Sequence, residues 1–200
     1  MTKARTNADN VAGDISGVTA GTGLTGGGTS GAVTISADTT VLATTSNSLT
    51  MSAKTLTAPT INDAIANYST FKAPTETANI VASAATGTIQ IDAETSAVWY
   101  YTSNATGNHT LNFRYNSSTS LDSKMSVGET ITFIWINTNG ATPYYPSAIT
   151  IDGTSVTPKY SGGTAFSAGN ASSIDMYQFS IMKTSAAPTY TVFAAQVKYA

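Results

Sequence analysis

Glu129-Thr130-Ile131-Thr132-Phe133-Ile134-Trp135-Ile136 is the stretch on which the fold turns. In an extended chain Ile131, Phe133 and Trp135 fall on one face, and Thr130, Thr132, Ile134 and Ile136 on the other. β-branched and aromatic residues at period two read as a strand. Tyr177, Phe179 and Ile181 repeat the pattern within Ile174–Met182. Outward from these two, the alternation predicts strands at 78–83, 87–93, 96–102, 109–115, 147–151, 154–158 and 189–198. Turn clusters such as Asn104-Ala105-Thr106-Gly107-Asn108, Asn137-Thr138-Asn139-Gly140 and Ser161-Gly162-Gly163 separate them. Many short strands with no helical period predict an all-β chain, with a β-sandwich, jelly-roll-like knob over residues 76–200.

Composition bounds what such a knob does. Hydrophobic residues are 41% of the 200, enough for a core, while charged residues are only 10%, against about 25% in an average soluble chain. Ser and Thr together number 59. The formal net charge is −2, and nine Lys and Arg are scattered with no two adjacent. Nucleic-acid binding needs a clustered cationic footprint, and none is present. No basic amphipathic stretch and no long apolar run predicts membrane insertion. The polar N-terminus does not read as a secretory signal. Zero Cys removes thiolate chemistry, and one His, His109, removes most acid–base chemistry. These counts point away from enzymes and predict a binding or structural protein without cofactors.

Residues 1–48 differ in kind. Half of the 16 Gly fall between Gly13 and Gly31, a density that holds no helix. Single apolar residues stand between them: Ile15, Val18, Leu24, Val33 and Ile35. One copy of such a segment leaves those side chains unburied, whereas several copies wound about one axis would bury them. The expectation is an extended Gly/Thr-rich shaft or attachment segment in which these five residues pack between subunits; a flexible linker is the plainer reading. Gly21-Thr22-Gly23-Leu24-Thr25-Gly26 fits the dinucleotide fingerprint letter for letter, but no buried strand precedes it and no helix follows. Residues 49–75 read as a neck, with Lys54-Thr55-Leu56-Thr57-Ala58-Pro59-Thr60-Ile61 extended and one or two helical turns over Asn62–Tyr68.

Few residues offer chemistry. Asp92 and Glu94 share a strand face, the spacing a glycosidase or hard cation uses, yet they sit at a strand end where carboxylates are commonly just solvated. His109 follows Gly107-Asn108 and reads as an exposed strand-start residue rather than a metal ligand. The five N-x-S/T sequons, at Asn67, Asn104, Asn108, Asn116 and Asn170, are what so much Ser and Thr makes by accident. The aromatics are better candidates. Trp99-Tyr100-Tyr101 places three rings in a row, so at least one faces away from the core. Tyr144-Tyr145 stand between Pro143 and Pro146, just after Asn139. Stiff tyrosines beside Asn suit sugar stacking, a subunit interface or plain local packing. Tyr144, Tyr145, Asn139, Trp99 and Tyr100 are therefore the candidate surface or interface contacts.

Gly17-Val18-Thr19-Ala20-Gly21-Thr22-Gly23-Leu24-Thr25-Gly26-Gly27-Gly28 resembles a segment common near the start of bacteriophage tail-fibre proteins. Lys54–Ile61 resembles their N-K-T-L-T-x-P-x-I element, with Ala53 where the family often has Asn. From Ala73 onward the chain is similar to fibre-like virion proteins of marine phages, particularly those of cyanobacteria. Ala82-Ser83-Ala84-Ala85-Thr86-Gly87-Thr88, Asn137–Gly140 with Tyr144-Tyr145, Gly162-Gly163-Thr164 and Phe193–Ala200 carry that likeness. The resemblance implies a structural virion protein on the tail or head surface, a homotrimer without catalytic residues. It implies other phage tail or capsid proteins as partners of the N-terminal segment, and host-surface polysaccharide as a partner of the knob. A capsid decoration or head-fibre protein shares these features; a carbohydrate-binding module or adhesin is the non-viral alternative, and a depolymerase tailspike the enzymatic one.

Overall fold

The computed structural model describes residues 16–38 and 69–199. Contacts divide the chain into two units, Met1–Ser69 and Thr70–Ala200. Ile15, the Lys54–Ile61 element and the expected helical turns over Asn62–Tyr68 lie outside the described residues.

In the first unit β1 (Val18–Thr19), β2 (Leu24–Gly28) and β3 (Ile35–Ala37) form a small antiparallel sheet with β2 in the middle. Its central strand is made possible by glycine. Gly26 has φ +108° and Gly27 φ +124°, and a Cβ on either would lie 2.2 Å from Thr34 O or 2.5 Å from Val18 O. Glycines expected where several chains crowd thus already crowd against strands of their own chain. The fingerprint-like Gly21–Gly26 runs straight into β2, with no helix behind it. Leu24 is 45% and Ile35 37% exposed, and Val18 and Val33 are half-buried.

The second unit contains β4 (Ala78–Ala84), β5 (Gly87–Asp92), β6 (Val98–Ser103), β7 (His109–Arg114), α1 (Leu121–Lys124), β8 (Thr130–Thr138), β9 (Pro146–Ile151), β10 (Thr154–Val156), β11 (Lys159–Tyr160), β12 (Ile174–Ser185) and β13 (Thr189–Tyr199). All nine strands expected from alternation are present, and β11 is added. They form a six-stranded sheet, ordered β11-β13-β12-β8-β6-β4, and a four-stranded sheet, ordered β10-β9-β7-β5.

The winding differs from a jelly roll. Jelly rolls pair their strands antiparallel, whereas β4, β6 and β8 run parallel in one sheet and β5, β7 and β9 parallel in the other. From β4 to β9 the chain changes sheet at every step. Parallel neighbours need a crossover, and here the strand in the facing sheet supplies it. Ala78 pairs with Val98 and Gly87 with His109, each about one full circuit later. Antiparallel pairing enters only afterwards, through β10 on β9 and the long β12–β13 hairpin, with β12 laid on β8.

The inward faces share one core. Ile89 and Ile91, Leu111 and Phe113, and Ile149 and Ile151 come from the four-stranded sheet; Phe133 and Trp135 and Tyr177, Phe179 and Ile181 come from the six-stranded one. The Phe113 ring centroid lies 4.9 Å from Phe133 and 5.2 Å from Phe179, so rings from opposite sheets interlock. The segment between β7 and β8 is fastened at α1. Ser120 Oγ accepts from Ser123 N, Asp152 accepts from Leu121 N and Asp122 N, and Lys183 Nζ donates to the Asp122 and Met125 carbonyls at 2.7 and 2.8 Å.

Candidate functional site

The loop after β8 carries Asn139, Tyr144 and Tyr145, and its conformation is set from inside the unit. Asn139 is 2% exposed, with Asn137 and Asp175 fully buried. Asn139 Oδ1 accepts from Asn137 Nδ2 at 3.0 Å and from Tyr144 N at 2.9 Å, while Asn139 Nδ2 donates to Asp175 Oδ2 at 3.1 Å. Asn137 Nδ2 also donates to Tyr144 O, and Asp175 Oδ2 accepts from Asn170 N at 2.8 Å. Gln196 Nε2 donates to Tyr177 Oη at 2.9 Å. Gly169 is packed over this network: a Cβ there would stand 2.5 Å from Tyr144 O and 2.6 Å from Asn139 Nδ2. Burial raises the Asp175 carboxyl above its ordinary value, against the opposing Asn170 N–H, and burial beside Asp175 pushes the Tyr177 phenol well up.

The structure therefore divides the five candidate contacts. Asn139 lies in the interior and positions Tyr144. Tyr144 and Tyr145 are half-buried and lean on the core, with Tyr145 N bonded to Asn108 Oδ1. Trp99 is 7% exposed, and its Nε1 donates to Ser96 O at 2.8 Å. Tyr100 points out of the opposite face of β6, where its hydroxyl accepts from Thr138 Oγ1 at 3.5 Å. Tyr101 turns inward to within 4.7 Å of the Trp135 ring. A shallow cleft of about 410 Å³ opens at this end, lined by Asn104, Thr138, Gly140, Ser172 and Ile174 among others. Its lining offers amide, hydroxyl and backbone groups as hydrogen-bond donors and acceptors.

His109 corrects an expectation. It is 1% exposed, its ring 5.4 Å from that of Trp135 and its Nδ1 3.3 Å from Gly107 O. Burial lowers its pKa to about 4, against a small opposing effect of that carbonyl. The signal was present in the sequence: His109, Leu111 and Phe113 share one parity in β7, and that parity faces the core. Asp92 and Glu94 take different partners. Arg114 Nε donates to Asp92 Oδ1 at 2.5 Å, and Asn116 Nδ2 donates to Glu94 at 3.0 Å. Among the described residues no three His, Asp or Glu gather where they would hold a metal ion.

One cleft went unforeseen. It measures about 490 Å³ and is lined by Asp122, Asp152, Thr154, Thr157, Thr189 and Tyr190 among others. The Tyr190 hydroxyl is buried with no hydrogen-bond partner among the described residues, and burial, then Asp122 and Asp152, push its pKa up to about 12. Nothing in the sequence links residues so far apart. No family model, curated protein or solved structure matches this chain.

Proposed function

We propose that this chain is a non-enzymatic structural protein of a bacteriophage virion, a homotrimeric tail-fibre or fibre-like component. In this reading residues 1–48 form the shaft and grip other tail or capsid proteins. Residues 76–200 are the knob, and its Tyr144–Tyr145 loop end meets the host surface. One observation supports it above the rest: the β1–β3 sheet leaves Leu24 and Ile35 exposed over more than a third of their surface and Val18 and Val33 half-buried in a single chain. Apolar side chains on so small a sheet are covered when copies associate. Light scattering on the full chain tests it, with a mass of about three times 20.5 kDa expected. A monomer overturns the trimeric reading. Antibody labelling of virions then separates tail from capsid.

A carbohydrate-binding module is the second reading, favoured by the 490 Å³ cleft, which sets Thr154, Thr157, Thr189, Asp152 and Tyr190 beside apolar Ile151, Val156 and Pro188, with Asp122 held by Lys183. Its size falls in the range of small-molecule sites. That reading requires a monomer with measurable affinity for neutral oligosaccharides.

A further inference from the structure

The outward face of the six-stranded sheet carries an apolar band beside a polar one, in which Ser180 Oγ bonds Thr132 Oγ1 and accepts from Gln178 Nε2. Register places Ile80, Tyr100, Ile136, Met176 and Val197 in one row across five strands. Val98 and Ile134 flank the row on one side, and Ile174 and Tyr199 on the other. Ile80 is 66%, Phe193 50%, Tyr199 50% and Val197 42% exposed. A groove of about 400 Å³ runs beside Phe193, bordered by Lys159, Gln178 and Ala195. Among the outward positions of all six strands Lys159 is the single charged residue, and it stands on the edge strand β11.

We infer that this face is where the Thr70–Ala200 units of neighbouring copies of the chain meet. Three features select a second copy as the occupant. A face whose one charge, Lys159, stands on the edge strand meets its own kind with little like-charge penalty, and offers a charged partner little to pair with. The apolar band spans five strands, or four strand spacings, by the six rises from Phe193 to Tyr199, a flat area of about 400 Å². That is about half of the roughly 800 Å² each partner contributes to a standard interface, the extent of a weaker association. Finally, β4 ends the sheet with Ala78-Asn79-Ile80-Val81-Ala82-Ser83-Ala84, which carries none of the Lys or Pro that blunts an exposed edge. The inference shares with the trimeric reading the need for association, but assigns it to a different surface.

Because the chain has no Cys, one introduced thiol is unique. In the full chain, Met176→Cys treated with a short bis-maleimide is expected to give linked pairs at least tenfold above Thr110→Cys, a control on the outward face of the other sheet. Adding Ile80→Lys and Val197→Lys, both at exposed positions, is expected to abolish the link. A link for Met176→Cys no stronger than for Thr110→Cys overturns the inference. If the mass is then still threefold, copies meet elsewhere and the trimeric reading stands; if it is that of one chain, both fall. A strong link with a twofold mass keeps this face and removes the trimer.

Discussion

The two outward faces of the Thr70–Ala200 unit sit on one shared core, yet they solve the problem of exposure in opposite ways. On the four-stranded sheet Asn112 donates to Gln90 at 2.6 Å and accepts from Thr150 Oγ1 and Gly153 N at 2.7 and 2.8 Å, while Arg114 pairs with Asp92. That face closes its own hydrogen bonds across neighbouring strands. The six-stranded sheet leaves Ile80, Phe193, Val197 and Tyr199 open. Side chains that satisfy one another contribute to the stability of one chain, as Thr132 and Ser180 also do on this second sheet, whereas the apolar band beside them contributes when something covers it.

Substitutions can break or sharpen this contrast. The largest effect belongs to neither face. Phe133→Ala empties the site where rings from both sheets interlock and is expected to cost about 3–5 kcal/mol in a denaturant melt. If the cost is near that of a surface change, the sheets do not depend on a common core. Next comes the buried His109. Its ordinary pKa of 6.5 falls to about 4 in the folded chain, so between these values the unfolded chain takes up a proton that the folded one refuses. Stability therefore falls as pH drops from 6.5 towards 4 and levels below, by a total on the order of 3 kcal/mol. His109→Phe should flatten that segment of the pH profile.

The two faces themselves give the smaller, paired effects. Asn112→Ala strips partners from Gln90, Thr150 and Gly153 N and is expected to cost about 2 kcal/mol. Ile80→Thr, at a 66% exposed position, is expected to change the stability of one chain by no more than about 0.5 kcal/mol. Equal costs from urea melts at a concentration where the chain is monomeric would erase the contrast.

Much of the fold was legible because alternation is local. Phe133 and Trp135, and Tyr177, Phe179 and Ile181, declare their buried face within eight residues of sequence. Trp99-Tyr100-Tyr101 likewise implied that a ring points outward, and Tyr100 does. Partnership is not local. Whether β4 turns back on β5 or passes to the other sheet is decided by contacts with β6, and the turn clusters at Asn104–Asn108 and Asn137–Gly140 are corners between layers. The same holds for the candidate site. Asn139 resembles a loop-tip contact until Asp175, on a strand 36 residues further on, draws its side chain inside. Asp122, Asp152 and Tyr190 have no shared motif, and only the tertiary structure makes them neighbours.

The alternation of β4 through β9 between the two sheets has a mechanical consequence. The layers are laced together by the chain itself, at corners as short as Ala85-Thr86. Loosening one layer slackens strands of the other, so the ten strands should melt in a single cooperative step. A pull that parts the layers meets covalent thread at every crossing, before it can exploit the weakness of any one side-chain contact.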